Sequence, residues 1–260
     1  EAIYRQYYDE PRFRPNVITA QRLAGGMVGK KVGQGFYRYE GGVAQLPPEP
    51  AVPCVASLPP VWVSPRATRH AELCELLRDL GAQLETGATP SAQALIVVAP
   101  LGWDVTSAAV AEQLDATRTL GIDLLVEDSA TRRRVLVTNP ATCAAMRDAA
   151  HALFARDGKA VSVVRDSAGF VTQRVLATIV NIAADMCQQR ICSPQDLETG
   201  VTLGLGYPLG PLAMGDRWGP ERLVQVLRHM QSVYGDPRYR PSPWLHRRGA
   251  LGLSMGHAEV

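Results

Sequence analysis

The side chains best suited to acid–base chemistry in this chain of 260 residues are its five histidines. An imidazole does such work when it lies within hydrogen-bond reach of a nucleophile or an orienting carboxylate. His151 falls among alanines in a predicted helix over 142–156, which indicates a half-exposed structural histidine. His70 is predicted to start a helix, and the other three lie among polar residues near the C-terminal end: His229, His246 and His257. The spacing predicts no Ser/His/Asp or Cys/His arrangement, and no catalytic residue in this chain.

Two glycine patterns bear on nucleotide binding. A dinucleotide site in an α/β domain needs Gly-x-Gly-x-x-Gly after the first strand, because glycine lets backbone N–H groups approach the pyrophosphate. The corresponding turn reads Ser64-Pro-Arg-Ala-Thr68 and contains no glycine. The second pattern, Gly204 to Gly210, follows a predicted helix and contains Pro208, so a tight turn between helices is expected. We therefore expect no bound cofactor, and the acidic residues show no metal-loop spacing.

The elements that would position a site change character along the chain. Between residues 61 and 165, short apolar runs alternate with amphipathic stretches, which favours parallel strands covered by helices. Strands are predicted at 61–63, 94–99, 123–126, 135–138 and 161–164, and helices at 69–80, 106–114 and 142–156.

From residue 166 the periodicity is helical. One long helix presents the apolar face that contains Val175, Ile179, Ala183 and Cys187, and further helices begin near Ser193 and Pro220. The fold class predicted is α/β plus all-α. A short helix over 17–27 is predicted before these parts.

Proline content marks a boundary near the start of the chain. Six of the fifteen residues from 46 to 60 are proline, which prevents both helix and central strand. We predict four parts: the tail of a helical domain (1–45), a linker (46–60), an α/β domain (61–165) and a helical domain (166–260).

Composition limits the possible partners. The net charge is only +2, and the one basic run, Arg132 to Arg134, is expected to be a solvated polar edge, so no nucleic-acid partner is predicted. The longest apolar run, 92–101, is shorter than the roughly 20 residues a membrane span needs. The five cysteines show no metal or disulfide spacing, which favours reduced thiols and a cytoplasmic location.

One phrase occurs twice in the chain. Residues 7–15 read YYDEPRFRP and residues 233–241 read VYGDPRYRP, with five identical positions. The repetition indicates a duplicated unit, and because the chain opens inside a helix we expect it to be a fragment of a longer polypeptide.

Several stretches resemble the 3-hydroxyacyl-CoA dehydrogenases, in the bacterial form with two C-terminal helical domains. The stretch Asp166-Ser-Ala-Gly-Phe-Val-Thr-Gln-Arg174 resembles the family's Asp-x-Pro-Gly-Phe-Val-x-Asn-Arg entry into its dimerisation helix. Residues 196–219 resemble the next block of the family pattern, 234–243 its closing signature, and 29–39 its Gly-Lys-Lys-x-Gly-x-Gly-Phe-Tyr ending. The nearest relatives implied are the 3-hydroxybutyryl-CoA and 3-hydroxyadipyl-CoA dehydrogenases. In this light the two phrases end the first and the second helical domain, and the α/β domain is a degenerate Rossmann-like domain.

The resemblance implies a function for the whole enzyme. In the family NAD lies on an N-terminal Rossmann domain, and a His paired with a Glu removes the hydroxyl proton of a 3-hydroxyacyl-CoA. Aligning Thr138-Asn139-Pro140 with the family's His-x-x-Asn-Pro places Leu136 at the histidine position, so neither catalytic residue is transferred. The family's substrate-positioning Asn corresponds to Gln173, and its Pro to Ala168. We therefore expect Gln173 to be the one substrate-binding candidate.

The chain is thus expected to be the C-terminal part of an NAD-dependent 3-hydroxyacyl-CoA dehydrogenase, inactive alone. It would form a homodimer through residues 166–260 and help to bind acyl-CoA, while the NAD site and the His/Glu pair lie upstream. The alternative is a purely structural oligomerisation module without ligand binding. A third possibility is residual CoA or adenine-nucleotide binding by the α/β domain.

Overall fold

The computed structural model describes residues 1–125 and 131–258, and the chain divides into two compact units. The first unit comprises residues 1–51 and the second begins at residue 52. The boundary expected at residue 165 falls inside the second unit, so the predicted domain limits stay a prediction.

The first unit consists of short elements. Helix α1 spans Ala2–Gln6, α2 spans Val17–Ala24, and an antiparallel hairpin joins β1 (Arg38–Glu40) to β2 (Val43–Gln45). The Asn16 side chain accepts the Ile18 N–H and so caps α2. No side chain of residues 1–51 is buried, so this unit has no core of its own.

The second unit begins with a five-stranded sheet. Within residues 52–125 and 131–165, three α-helices lie between its strands. In chain order the elements are β3 (Val61–Val63), α3 (His70–Asp79), β4 (Leu95–Val98), α4 (Val105–Ala111), β5 (Thr119–Ile122), β6 (Arg133–Thr138), α5 (Ala144–Phe154) and β7 (Ala160–Arg165). The strands are adjacent in the order β3-β4-β5-β6-β7.

Strand direction differs from the prediction at one pair. Three pairs are parallel, but β5 and β6 run antiparallel. The predicted parallel pairing is thus found at three of the four pairs, and the β5–β6 pair departs from it. No helix connects these two strands among the described residues, and parallel pairing needs a crossover connection. The α/β class itself is confirmed.

The third predicted strand was also misplaced. It was expected at residues 123–126, whereas β5 ends at Ile122 and Val126 lies outside the described residues. Gly121 has a low strand preference, yet all four residues of β5 are buried. Burial between neighbouring strands overrides local preference here.

Arg134 corrects the expectation of a solvated basic run. Arg132 and Arg133 are exposed, but Arg134 is only 1% exposed. Its guanidinium donates to both carboxylate oxygens of Asp157, at 2.7 and 2.8 Å, and to the Phe154 carbonyl at 2.7 Å. The buried cation thus satisfies the C-terminal end of α5.

The remainder of the second unit is helical. Five helices form its core, two of which, α8 and α10, the sequence analysis did not identify. They are α6 (Thr172–Gln188), α7 (Pro194–Leu205), α8 (Pro211–Trp218), α9 (Pro220–Tyr234) and α10 (Pro243–Leu251). The missed helices each begin with a proline at the first position, which was available as a start signal.

The repeated phrase folds in the same way at both places. Each copy forms a 3₁₀ turn, at Pro11–Phe13 and at Pro237–Tyr239. In each copy an arginine pairs with a carboxylate two residues earlier, Arg12 with Glu10 at 3.0 Å and Arg238 with Asp236 at 3.1 Å. The repetition in sequence is therefore a repetition in local structure.

The two copies differ in their aromatic contacts. In the second copy Arg174 of α6 donates to the hydroxyls of Tyr234 and Tyr239, at 2.6 and 3.1 Å, and its guanidinium lies over both rings. In the first copy Tyr8, the counterpart of Tyr234, is 96% exposed. Only the second copy is thus built into a helical core.

Candidate functional site

A cavity of about 460 Å³ opens at the carboxyl ends of β3 and β4. In open α/β sheets ligands bind outside the carboxyl ends of the strands. The cavity lies between the loop that follows β3, the loop that follows β4, helix α4 and helix α9. Its chemically distinctive lining residues are Arg66, Trp103, Ser107, Glu112, Gln225 and His229.

The loop after β3 uses its backbone N–H groups internally. Pro65 has no N–H to offer. The other four donors have acceptors within the sheet or the loop itself: Ser64 on Val97 O at 3.0 Å, Arg66 on Ser64 Oγ at 3.0 Å, Ala67 on Ser64 O at 2.9 Å and Thr68 on Ala99 O at 2.8 Å. A pyrophosphate needs such donors free, so residues 64–68 do not fit a dinucleotide.

Helix α3 is also poorly suited to a phosphate. The Glu72 carboxylate lies in its first turn, where a backbone hydrogen bond holds the pKa of Glu72 below its ordinary value. A carboxylate at that position competes with an incoming anion for the helix N-terminus. The expectation that NAD does not bind this chain stays a prediction, but it now has a geometric reason.

A carboxylate also stands on the cavity wall. The Ser64 hydroxyl donates to Oε2 of Glu112 at 2.5 Å, which fixes the carboxylate beside the end of β3. Negative charge at this position disfavours a phosphate and favours a ligand N–H.

Two aromatic rings form the other side of the cavity. Trp103 and His229 are stacked, with ring centroids 4.5 Å apart and an interplanar angle of 24°. His229 Nδ1 lies 2.6 Å from the Leu101 carbonyl oxygen, and because a carbonyl only accepts, Nδ1 donates to it. No sequence pattern predicts this pair, because its members are distant in the chain.

Gln173, the predicted substrate-binding residue, is buried behind the cavity and is 2% exposed. Its Oε1 accepts the Gly102 N–H at 2.7 Å, and its Nε2 donates to Pro100 O at 3.2 Å and to Asp123 Oδ1 at 3.3 Å. All parts of the amide are engaged within the chain. Direct contact of Gln173 with substrate stays a prediction, and its visible role is to hold the loop after β4.

Asp123 completes this cluster at the end of β5. Its Oδ2 accepts the Thr172 N–H at 2.9 Å and the Gln173 N–H at 3.4 Å, both at the start of α6. Oδ1 also accepts the Leu125 N–H at 3.4 Å. Burial raises the pKa of Asp123, and these hydrogen bonds oppose that effect. The carboxyl thereby links the sheet to the helical part.

The stretch that resembles the family's helix entry is a joint between these two parts. Asp166 accepts the N–H groups of Val105 and Thr106, each at 2.8 Å, and so adds to the N-cap that Asp104 provides for α4. Gln173 and Arg174 contact the loop after β4 and the second repeated phrase. The motif therefore encodes packing between elements.

The other candidates have structural positions. His151 is 8% exposed, more buried than expected, and Leu136 is enclosed in β6. The Gly204–Gly210 segment turns the chain between α7 and α8, as predicted, with Gly206 at φ 68°. Within residues 1–125 and 131–258 no cluster of three metal-ligating side chains occurs. No helix in that part of the chain is long and apolar enough to cross a membrane.

Comparison with known proteins shows which family this chain resembles. Residues 169–258 match the family model described as 3-hydroxyacyl-CoA dehydrogenase, C-terminal domain. The 3-hydroxyadipyl-CoA dehydrogenase of Escherichia coli K12 is 28% identical over 252 residues, which is 96% of this chain and 47% of that protein. A probable 3-hydroxybutyryl-CoA dehydrogenase of Bacillus subtilis is 33% identical over 108 residues, 40% of this chain and 38% of that protein.

Solved structures show the same fold. The crystal structure of 3-hydroxybutyryl-CoA dehydrogenase from Escherichia coli K12 has a TM-score of 0.69 at 23% identity, and the match covers 96% of this chain and 47% of that one. The predicted resemblance to the 3-hydroxyacyl-CoA dehydrogenase family is confirmed, and the part that carries it, residues 169–258, matches the model of that family's C-terminal domain. The chain spans about half the length of the 3-hydroxyadipyl-CoA dehydrogenase it matches.

Proposed function

We propose that the chain acts as the C-terminal part of an NAD-dependent 3-hydroxyacyl-CoA dehydrogenase, an oxidoreductase that converts 3-hydroxyacyl-CoA to 3-oxoacyl-CoA. Its helices build a homodimer interface and cover the acyl-CoA cleft, while the NAD site and the His/Glu pair belong to an upstream part. We also propose a cytoplasmic location, in keeping with five free thiols.

The observation that carries this division of roles is the loop after β3. Its N–H groups are already bonded to acceptors of the chain, so the position where an α/β domain would hold a dinucleotide pyrophosphate has no donors to give. Leu136, at the aligned histidine position, cannot take a proton. Hydride transfer therefore needs a second nucleotide domain.

The test is to measure binding and turnover with the purified chain. We expect calorimetry to detect binding of acetoacetyl-CoA and no binding of NADH. Mixing both ligands with the chain should leave NADH absorbance unchanged, with the Escherichia coli 3-hydroxyadipyl-CoA dehydrogenase as the active control. Appreciable NADH oxidation by the chain alone would contradict the proposal.

The alternative is a structural module that only joins subunits. It is favoured by exposed apolar residues at the start of α6, where Val171 is 45% and Val175 50% exposed. The rest of the predicted stripe does not extend that surface, because Ala183 and Cys187 are buried in the chain's own core. Absence of any heat with acetoacetyl-CoA would favour this alternative.

A further inference from the structure

We propose that the cavity at the carboxyl ends of β3 and β4 binds the adenine nucleotide end of a CoA ester. This inference rests on the proposed function, since it assigns a place for part of the acyl-CoA substrate. At about 460 Å³ the cavity is within the range of roughly 300–1,000 Å³ that is usual for small-molecule sites.

The aromatic side of the cavity suits a flat heterocycle. The stacked pair of Trp103 and His229 provides a rigid π surface. Any nucleobase can stack on such a surface, because every base has a π face. The hydrogen bond from His229 Nδ1 to Leu101 O fixes the imidazole orientation. The aromatic surface therefore has a fixed orientation in the absence of a ligand.

Glu112 supplies an acceptor for an exocyclic amino group. Oε2 is held by the Ser64 hydroxyl, and among the described residues no donor is bonded to Oε1. A carboxylate oxygen beside an apolar wall favours a ligand with an N–H donor, which adenine has. The same charge disfavours a phosphate at this end of the cavity.

Arg66 supplies the place for a phosphate. It is an exposed residue at the cavity, and none of the described carboxylates pairs with its guanidinium. Because the neighbouring backbone N–H groups are occupied, an anion here must be held by this side chain. A single terminal phosphate can bind the Arg66 guanidinium. A pyrophosphate lying along the loop would find no backbone N–H donor for its other oxygens.

The experiment uses adenosine 3′,5′-bisphosphate as the probe and the whole 260-residue chain. Binding is followed by calorimetry and by tryptophan fluorescence. We expect saturable binding that is weakened about tenfold by Arg66→Ala, the effect of losing one charge-assisted contact. Arg165→Ala, an exposed arginine at the end of β7 on the opposite edge of the sheet, should leave the affinity unchanged.

Two further variants test the other contacts. Trp103→Phe should keep binding while removing the fluorescence change, because phenylalanine retains a stacking surface. Glu112→Gln should weaken binding, because one of the two carboxylate oxygens becomes an N–H₂ donor. Thermal unfolding of each variant checks that the fold is intact.

Binding too weak to detect, or equal binding by wild type and Arg66→Ala, would overturn the inference. The same experiments distinguish failure of this inference from failure of the proposed function. If acetoacetyl-CoA binds but adenosine 3′,5′-bisphosphate does not, and Arg66→Ala is without effect, the adenine site is wrong and the dehydrogenase role stands.

Discussion

Asp123 shows how one side chain can join two parts of a molecule. Both of its oxygens accept N–H groups, two from the start of α6, one from Leu125 and one from the Gln173 amide. A carboxylate can accept on both oxygens, whereas an amide can accept on only one.

We expect Asp123→Asn to destabilise the chain by about 2 kcal/mol, because the new N–H₂ group must face backbone donors whichever way the amide is turned. Urea unfolding measures the change. Asp148→Asn, on the exposed face of α5, is the matched control and should have little effect. Equal stability of the two variants would show that the Asp123 hydrogen bonds contribute nothing net.

The cysteines make a second prediction at the residue scale. Burial raises the pKa of Cys187 to about 11, from an ordinary value of 9.0, so the reactive thiolate is about a hundredfold scarcer. Cys54 and Cys143 are exposed. Titration with a thiol reagent should modify these two first and Cys187 only after unfolding, and rapid labelling of Cys187 in the folded chain would contradict this account of its burial.

At the scale of elements, Gly102 determines how closely the loop after β4 approaches α9. Its φ is 78°, and an added Cβ would lie 2.7 Å from the Val226 Cα atom, which belongs to backbone and cannot yield. The approach brings Trp103 against His229 and so forms one side of the cavity.

We expect Gly102→Ala to cost about 3 kcal/mol, the sum of a left-handed backbone penalty and a steric clash. Gly158→Ala is a matched control, because Gly158 has a φ of 80° but nothing lies within 4 Å of its added Cβ. It should cost about 1 kcal/mol, from backbone strain alone. Similar unfolding free energies for both variants would mean that the contact between the loop and α9 is not tight in solution.

At the scale of the whole molecule, the open question is assembly. We predict a homodimer through the helices of residues 166–260, and the exposed valines at the start of α6 are one apolar surface that can contribute to it. Light scattering with size-exclusion chromatography should give twice the chain mass.

Val175→Asp should shift this dimer toward monomer, because a charge would be buried at the interface. Val110→Asp is the control, since Val110 is 74% exposed on α4, outside the predicted interface. A monomeric wild type, or dissociation by both variants alike, would contradict the predicted interface.

Sequence patterns of short range determined much of this protein. Helical periodicity, caps and prolines predicted helices α2 to α7 and α9. The repeated phrase correctly indicated a repeated local structure. Both kinds of signal act between residues a few positions apart. The family motifs identified the helical part. The absence of glycine from the turn after β3 predicts that no dinucleotide binds there, and this stays a prediction. The structure adds that the N–H groups of residues 64 and 66–68 have acceptors within the chain.

Only the tertiary structure decided which distant residues meet. Three contacting pairs are separated in sequence and have no spacing that links them: Trp103 with His229, Gln173 with Gly102, and Arg134 with Asp157. The antiparallel pairing of β5 with β6 and the burial of Arg134 likewise depend on neighbours supplied by the folded chain. Contacts of this kind come from packing the whole core, and periodicity along the chain carries no information about them.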